Sequence, residues 1–84
     1  MKIVYAKSAK KYIESLDRPR KESLKEHIEG LLETPPKGDI KPLKGYSDGR
    51  LRLKASKFRI IYKLHKEQDL LYIINIGSRG DIYK

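Results

Sequence analysis

The sequence predicts an α+β domain: a helical hairpin packed on one face of a small, mostly antiparallel four-stranded sheet, in the order β-α-α-β-β-β. Apolar residues recur at helical spacing between residues 9 and 32 and at a spacing of two from Leu51 onward. A connection rich in proline and glycine, residues 34–49, separates the two regimes. Helices grouped ahead of strands, rather than alternating with them, belong to the α+β class. At 84 residues there is room for one core, so residues 1–84 are read as a single domain.

Each element has its own local reason. Ile3 and Tyr5 alternate with Val4 and Ala6, predicting a short strand with both faces covered. Ser8 is the expected N-cap of a helix over 9–16, whose apolar face is Ala9, Tyr12, Ile13 and Leu16. Asp17-Arg18-Pro19 breaks that helix and starts the next, with Asp17 as cap and Pro19 in the first turn. Leu24, Ile28, Leu31 and Leu32 form the second helix's stripe, and Thr34-Pro35-Pro36 ends it. Residues 34–49 read as irregular.

Leu51, Leu53 and Ala55 then take odd positions, whereas Phe58, Ile60, Tyr62 and Leu64 take even ones. The parity flip across residues 55–57 makes these two strands a hairpin. Lys66-Glu67-Gln68-Asp69 is the next turn. Leu70 to Ile76 is apolar except at Asn75, predicting a strand buried on both faces.

Composition excludes several classes. Without cysteine there is no disulfide frame and no thiolate zinc site, and two histidines are poor metal ligands, so no metal or other cofactor is expected. No stretch approaches the about 20 apolar residues of a membrane span, and the start has no signal-peptide core. The chain is read as soluble and cytoplasmic, without a membrane partner. Twenty Lys and Arg against eleven Asp and Glu give a net charge of +9. From Arg50 to Lys66 there are seven basic residues and no acidic one. Such a surface suits a polyanion, usually nucleic acid; a merely solubilising surface has the same composition.

Alternation sharpens the charge argument. If Leu51 and Leu53 face the helices, Arg50, Arg52 and Lys54 project from the opposite face, and Arg59 and Lys63 join them from the neighbouring strand. Like charges across strands repel by up to about 1 kcal/mol per pair, a cost an anion between them would relieve. The competing account is that their stems cover the sheet while their heads stay in water. No phosphate-binding glycine loop, metal-binding H-E-x-x-H or nucleophile elbow is present. Arg79, between Ser78 and Gly80 at a strand end, stands where function is common, although a solubilising charge fits there too.

Three sets of segments stand out together: Pro35-Pro36-Lys37-Gly38-Asp39 running into Pro42-Leu43-Lys44-Gly45-Tyr46, Leu51-Arg52-Leu53-Lys54 before Phe58-Arg59-Ile60-Ile61-Tyr62, and Ile76-Gly77-Ser78-Arg79 with Tyr83. In this order and spacing they resemble the RelE/ParE superfamily of bacterial toxins, and most of all its RelE branch. The resemblance implies a toxin of a type II toxin–antitoxin system that enters the 30S A site of the ribosome and cuts mRNA there. A cognate antitoxin, expected to be acidic and partly disordered when free, would silence it. Arg59 matches the arginine that holds the scissile phosphate. Arg52 and Lys54 match basic positions that activate the nucleophile or stabilise charge. Arg79 matches an arginine after the last strand, and Tyr83 a tyrosine that stacks on or orients the base; as a residue, Tyr83 could equally close the core. Lys41, Lys44, Arg50, Lys57 and Lys63 are the expected RNA-binding set. The chain departs from the pattern at Ser78, where many relatives have His, and at Lys41, where some have a glutamate base.

The implied chemistry suits these residues. RNA can be cut by its own 2′-hydroxyl, so the protein has only to align the phosphate, stabilise its added charge and move protons. Arginine suits bidentate phosphate contact, and a lysine crowded by cations releases its proton more readily, which makes Lys54 the expected base. A ParE-like toxin acting on DNA gyrase without RNase activity is the alternative within the fold. A nucleic-acid-binding module without catalysis is the alternative outside it. No specific DNA binding by this chain alone is expected.

Overall fold

The computed structural model describes residues 1–46, 48–55 and 57–78. Its elements are β1 (Lys2–Tyr5), α1 (Lys7–Glu14), α2 (Arg18–Gly30), β2 (Asp39–Pro42), β3 (Leu51–Ala55), β4 (Phe58–His65), a 3₁₀ turn (Lys66–Gln68) and β5 (Leu70–Ser78). The five strands form one sheet in the order β1-β5-β4-β3-β2. Among the described residues only β1 and β5 run parallel; the other pairs are antiparallel.

The core lies between the helices and one face of the sheet. Ala9 of α1, Leu24 and Ile28 of α2, and Leu31 meet Leu53, Ile60, Tyr62, Leu71 and Ile73, all of them buried. Burying each leucine or isoleucine among them stabilises by about 1.5–3 kcal/mol before entropy is counted. The α2 start is as the sequence predicts: the Asp17 carboxylate accepts a hydrogen bond from the Arg20 backbone N–H at 3.1 Å, and Pro19 sits in the first turn.

Four expectations need correction. Among the described residues the sheet has five strands, because residues 39–42 within the supposedly irregular connection pair with β3. Ile40 alone supplies that segment's inward apolar side chain, too little for a period to be read, and Pro42 is tolerated because β2 lies at the sheet edge. The first helix covers 7–14, not 9–16. Ala6 is its N-cap without a side-chain bond, and the Ser8 hydroxyl instead donates to the Ile74 carbonyl at 3.4 Å.

The other two corrections concern burial. β5 is not covered on both faces: Leu71, Ile73 and Ile76 are buried, while Leu70, Tyr72 and Ile74 are half-buried and Asn75 is exposed. A bulge at Ile74 explains the irregular pattern, since Ile61 faces Asn75 and Tyr62 faces Ile73. β1 is likewise an edge strand with Tyr5 exposed, not a strand covered twice. The β3–β4 hairpin is as predicted, with Ala55 opposite Phe58.

Candidate functional site

The candidate site lies on the open sheet face of β2, β3 and β4. Period-two alternation sends Leu53, Ile60 and Tyr62 inward and leaves Arg52, Lys54, Arg59 and Lys63 pointing outward. Register then aligns them: Asp39 pairs with Lys54 and Lys54 with Arg59 in one row, while Lys41 pairs with Arg52 and Arg52 with Ile61 in the next. Adjacent rows on one face bring both sets within side-chain reach.

Lys41, Pro42, Leu43, Lys44, Tyr46, Arg52, Arg59 and Ile61 line a shallow, open hollow of about 550 Å³. Four of those residues are cationic. The Arg52 side chain is only 14% exposed and pairs through Nη2 with the Asp39 carboxylate at 3.5 Å. That nitrogen is itself buried and makes no hydrogen bond among the described residues. That nitrogen, held by an ion pair at 3.5 Å and by no hydrogen bond among the described residues, has donor capacity left for an oxyanion. Arg59 and Lys54 are half-buried on the neighbouring row.

Arg50 and Lys63 stand at one end of this face. Arg50 Nε donates to Asp48 Oδ2 at 2.9 Å, and the guanidinium carbon lies 4.4 Å from the Tyr46 ring centroid. That hydrogen bond, aided by the charges of Arg50 and Lys63, holds the Asp48 carboxyl below the usual carboxylate range. Lys57 is not among the gathered cations: it is exposed in the hairpin turn and lines a separate hollow with Tyr12, Leu16, Pro19, Phe58 and Ser78. Ser78 is exposed at the end of β5, its hydroxyl 3.2 Å from that of Tyr12. Arg79 and Tyr83 lie outside the described residues.

The structure adds two residues to the sequence-based site. Asp39 could not be found without the β2–β3 register, because nothing in the sequence pairs it with Arg52. Tyr46 did leave a signal, an aromatic residue among Lys44, Gly45 and Arg50, but it has no strand period to mark its direction. Among the described residues no group of His, Asp and Glu is arranged to hold a metal ion, and no helix is long and apolar enough to cross a membrane.

Known proteins share this architecture. A chain of the archaeal RelE–RelB complex from Pyrococcus horikoshii superposes with a TM-score of 0.74 at 24% identity, covering 95% of this chain and 96% of that one. A chain of the RelBE2 toxin–antitoxin complex from Mycobacterium tuberculosis gives 0.76 at 19% identity, covering 93% and 96%. The isolated E. coli RelE toxin gives 0.70 at 26% identity, covering 98% and 89%. No curated protein matches the chain. The family model described as the ParE toxin of the type II toxin–antitoxin system parDE matches residues 3–83. Built on a RelE-like fold, with its cations gathered on the open face of the sheet, the chain belongs to the ParE toxin family of type II toxin–antitoxin systems, within the RelE/ParE superfamily.

Proposed function

We propose that this toxin is an endoribonuclease that cleaves mRNA in the ribosomal A site and so stops translation. The observation that carries the proposal is Arg52: a largely buried guanidinium with spare donors, at a hollow that Arg59, Lys41 and Lys44 also line. Burial lowers the local dielectric and strengthens the pull on a phosphate oxygen.

In this reading Arg52 and Arg59 bind the non-bridging oxygens of the scissile phosphate and stabilise the added charge of the phosphorane. Lys54, in the Arg59 row, takes the proton from the 2′-hydroxyl. The 2′-oxygen forms a bond to phosphorus while the bond from phosphorus to the 5′-oxygen breaks. The 5′-oxygen leaves as an alcohol after gaining a proton from water, and a 2′,3′-cyclic phosphate remains. Arg79 adds a further cation and Tyr83 orients a base. The ribosome aligns the strand, which suits a site with positioning charges and no histidine at position 78.

A cognate antitoxin is the proposed protein partner. The support is that the structural relatives from Pyrococcus horikoshii and Mycobacterium tuberculosis are toxin–antitoxin complexes. The net charge of +9 favours an acidic segment that orders on binding.

A second reading has one specific observation behind it: the matching family model is described as ParE. In that reading the same fold poisons DNA gyrase without cutting RNA. Primer extension on an mRNA in a reconstituted translation reaction separates the two, using wild type, Arg52→Ala and Arg79→Ala. Cuts within codons that require ribosomes and are lost in both variants are expected. Intact mRNA with active wild-type toxin would sink the ribonuclease reading, and gyrase-dependent DNA breaks under the same toxin would establish the other.

A further inference from the structure

We infer that Tyr46 is a stacking platform for one unpaired nucleobase, set beside the basic hollow so that a base and its phosphate are held together. The inference rests on the nucleic-acid reading above and goes beyond it in naming the part of the substrate that this loop receives.

Tyr46 contributes little to the core: it is 52% exposed. Yet its ring is held. The loop that carries it is closed at its base where the Leu43 backbone N–H donates to the Arg50 carbonyl at 3.0 Å. Gly45, immediately before Tyr46, has φ +89°, a left-handed conformation that other residues rarely adopt, and it turns the chain there. Arg50 lies against the ring at 4.4 Å and is itself fixed by Asp48 at 2.9 Å. The series Asp48–Arg50–Tyr46 therefore fixes the ring, while half of the residue's surface still faces water.

The surroundings say what the ring can take. Tyr46 lines the same hollow as Lys41, Lys44, Arg52 and Arg59. An aromatic face beside a line of cations is the two-part arrangement that binds single-stranded nucleic acid: bases stack on the ring, and the backbone follows the charge. Bases in a duplex are already stacked, so the platform selects an unpaired strand. Every base has a π-face, so the contact tolerates any base. Were the tyrosine only a cover for the Arg50 stem, the ring would add nothing to binding.

The test uses the full 84-residue chain and two short 2′-O-methyl oligonucleotides of equal length, which cannot be cleaved. One carries bases, including a 2-aminopurine reporter; the other is abasic, with the same phosphates. Affinity is read by anisotropy and stacking by quenching of the 2-aminopurine. Wild type is expected to bind the base-bearing strand about tenfold more tightly than the abasic one. Tyr46→Phe should keep that preference. Tyr46→Leu should lose most of the preference and of the quenching, with affinity for the abasic strand unchanged within about twofold.

A preference fully retained in Tyr46→Leu overturns the platform. Equal wild-type binding of both strands also overturns it, and leaves the phosphate-binding reading standing. Failure of wild type to bind either strand overturns both. The Phe variant preserves the ring's shape, so a loss confined to Leu is not a folding defect.

Discussion

The Arg52 guanidinium and the Asp39 carboxylate meet at 3.5 Å on the open face of the sheet, from neighbouring strands whose register places Asp39 opposite Lys54 and Arg52 opposite Lys41. Asp39 thus puts a negative charge at the edge of a hollow built from cations, against the guanidinium best placed to receive a phosphate. A partly exposed pair of this kind stabilises the fold by no more than about 1 kcal/mol. In the proposed RNA-binding role its larger expected effect is on ligands, because any phosphate reaching Arg52 would do so beside a carboxylate.

Asp39→Asn should therefore tighten binding of a single-stranded RNA oligonucleotide several-fold at low salt. Two charges about 4 Å apart interact by roughly 1 kcal/mol even in water. The gain should shrink as salt is raised, and the urea midpoint should change little. Anisotropy titrations at two ionic strengths measure this. Weaker binding by the Asn variant would mean that the carboxylate orients Arg52 for the phosphate rather than competing with it.

Arg52 itself tests whether fork geometry matters beyond charge. Arg52→Lys keeps the cation and loses the planar pair of donors. Cleavage in a ribosome-containing reaction should fall by about two orders of magnitude, the scale for removing a donor to a developing oxyanion. Arg52→Ala should also reduce the salt dependence of RNA binding by about 0.7 in the log–log slope, one phosphate contact's share on a single strand. A Lys variant with full activity would leave Arg52 as a general attractor of RNA with no part in the transition state.

These predictions draw unequally on the sequence. Arg52, Lys54 and Arg59 were legible because a strand's alternation sends every second side chain to the same face, and their neighbours Leu53 and Ile60 had to point inward. β2 was not legible, because Asp39-Ile40-Lys41-Pro42 becomes a strand by pairing with β3, with one inward apolar side chain and a proline against it. Missing β2 meant missing the Asp39–Arg52 pair, since a register between distant segments leaves no local mark. β5 misled in another way. A run apolar at all but one position reads as doubly buried, whereas here a bulge at Ile74 shifts the buried parity and the second face stays half open.

Gly38 ties the start of β2 to the core. Its φ is +120°, and a Cβ built there would collide with the Leu53 side chain, Cδ1 foremost. Leu53 is 1% exposed and stands between Arg52 and Lys54, so it has little room to give. Gly38→Ala is expected to destabilise the protein by about 1–3 kcal/mol through backbone strain and overpacking together. Urea denaturation measures the loss. A neutral effect would mean that the chain around residue 38 relaxes away from β3, contrary to the packing described for Leu53.

Tyr62 gives the fold a sensitivity to alkali. It is 1% exposed, and burial pushes its phenol pKa from 10.0 up to about 12. The folded protein keeps the proton through that interval, whereas the unfolded chain releases it near 10. The folded state thus holds more protons between the two values, and stability falls as pH rises through them. Below pH 10 both states are protonated and the contribution is complete. The urea midpoint should therefore drop between about pH 10 and about pH 12, and drop less in Tyr62→Phe, which has no proton to lose there. Every other ionisable group is common to both proteins, so the difference between the two curves isolates this one ring. Parallel curves would place the Tyr62 hydroxyl in contact with water in the folded state.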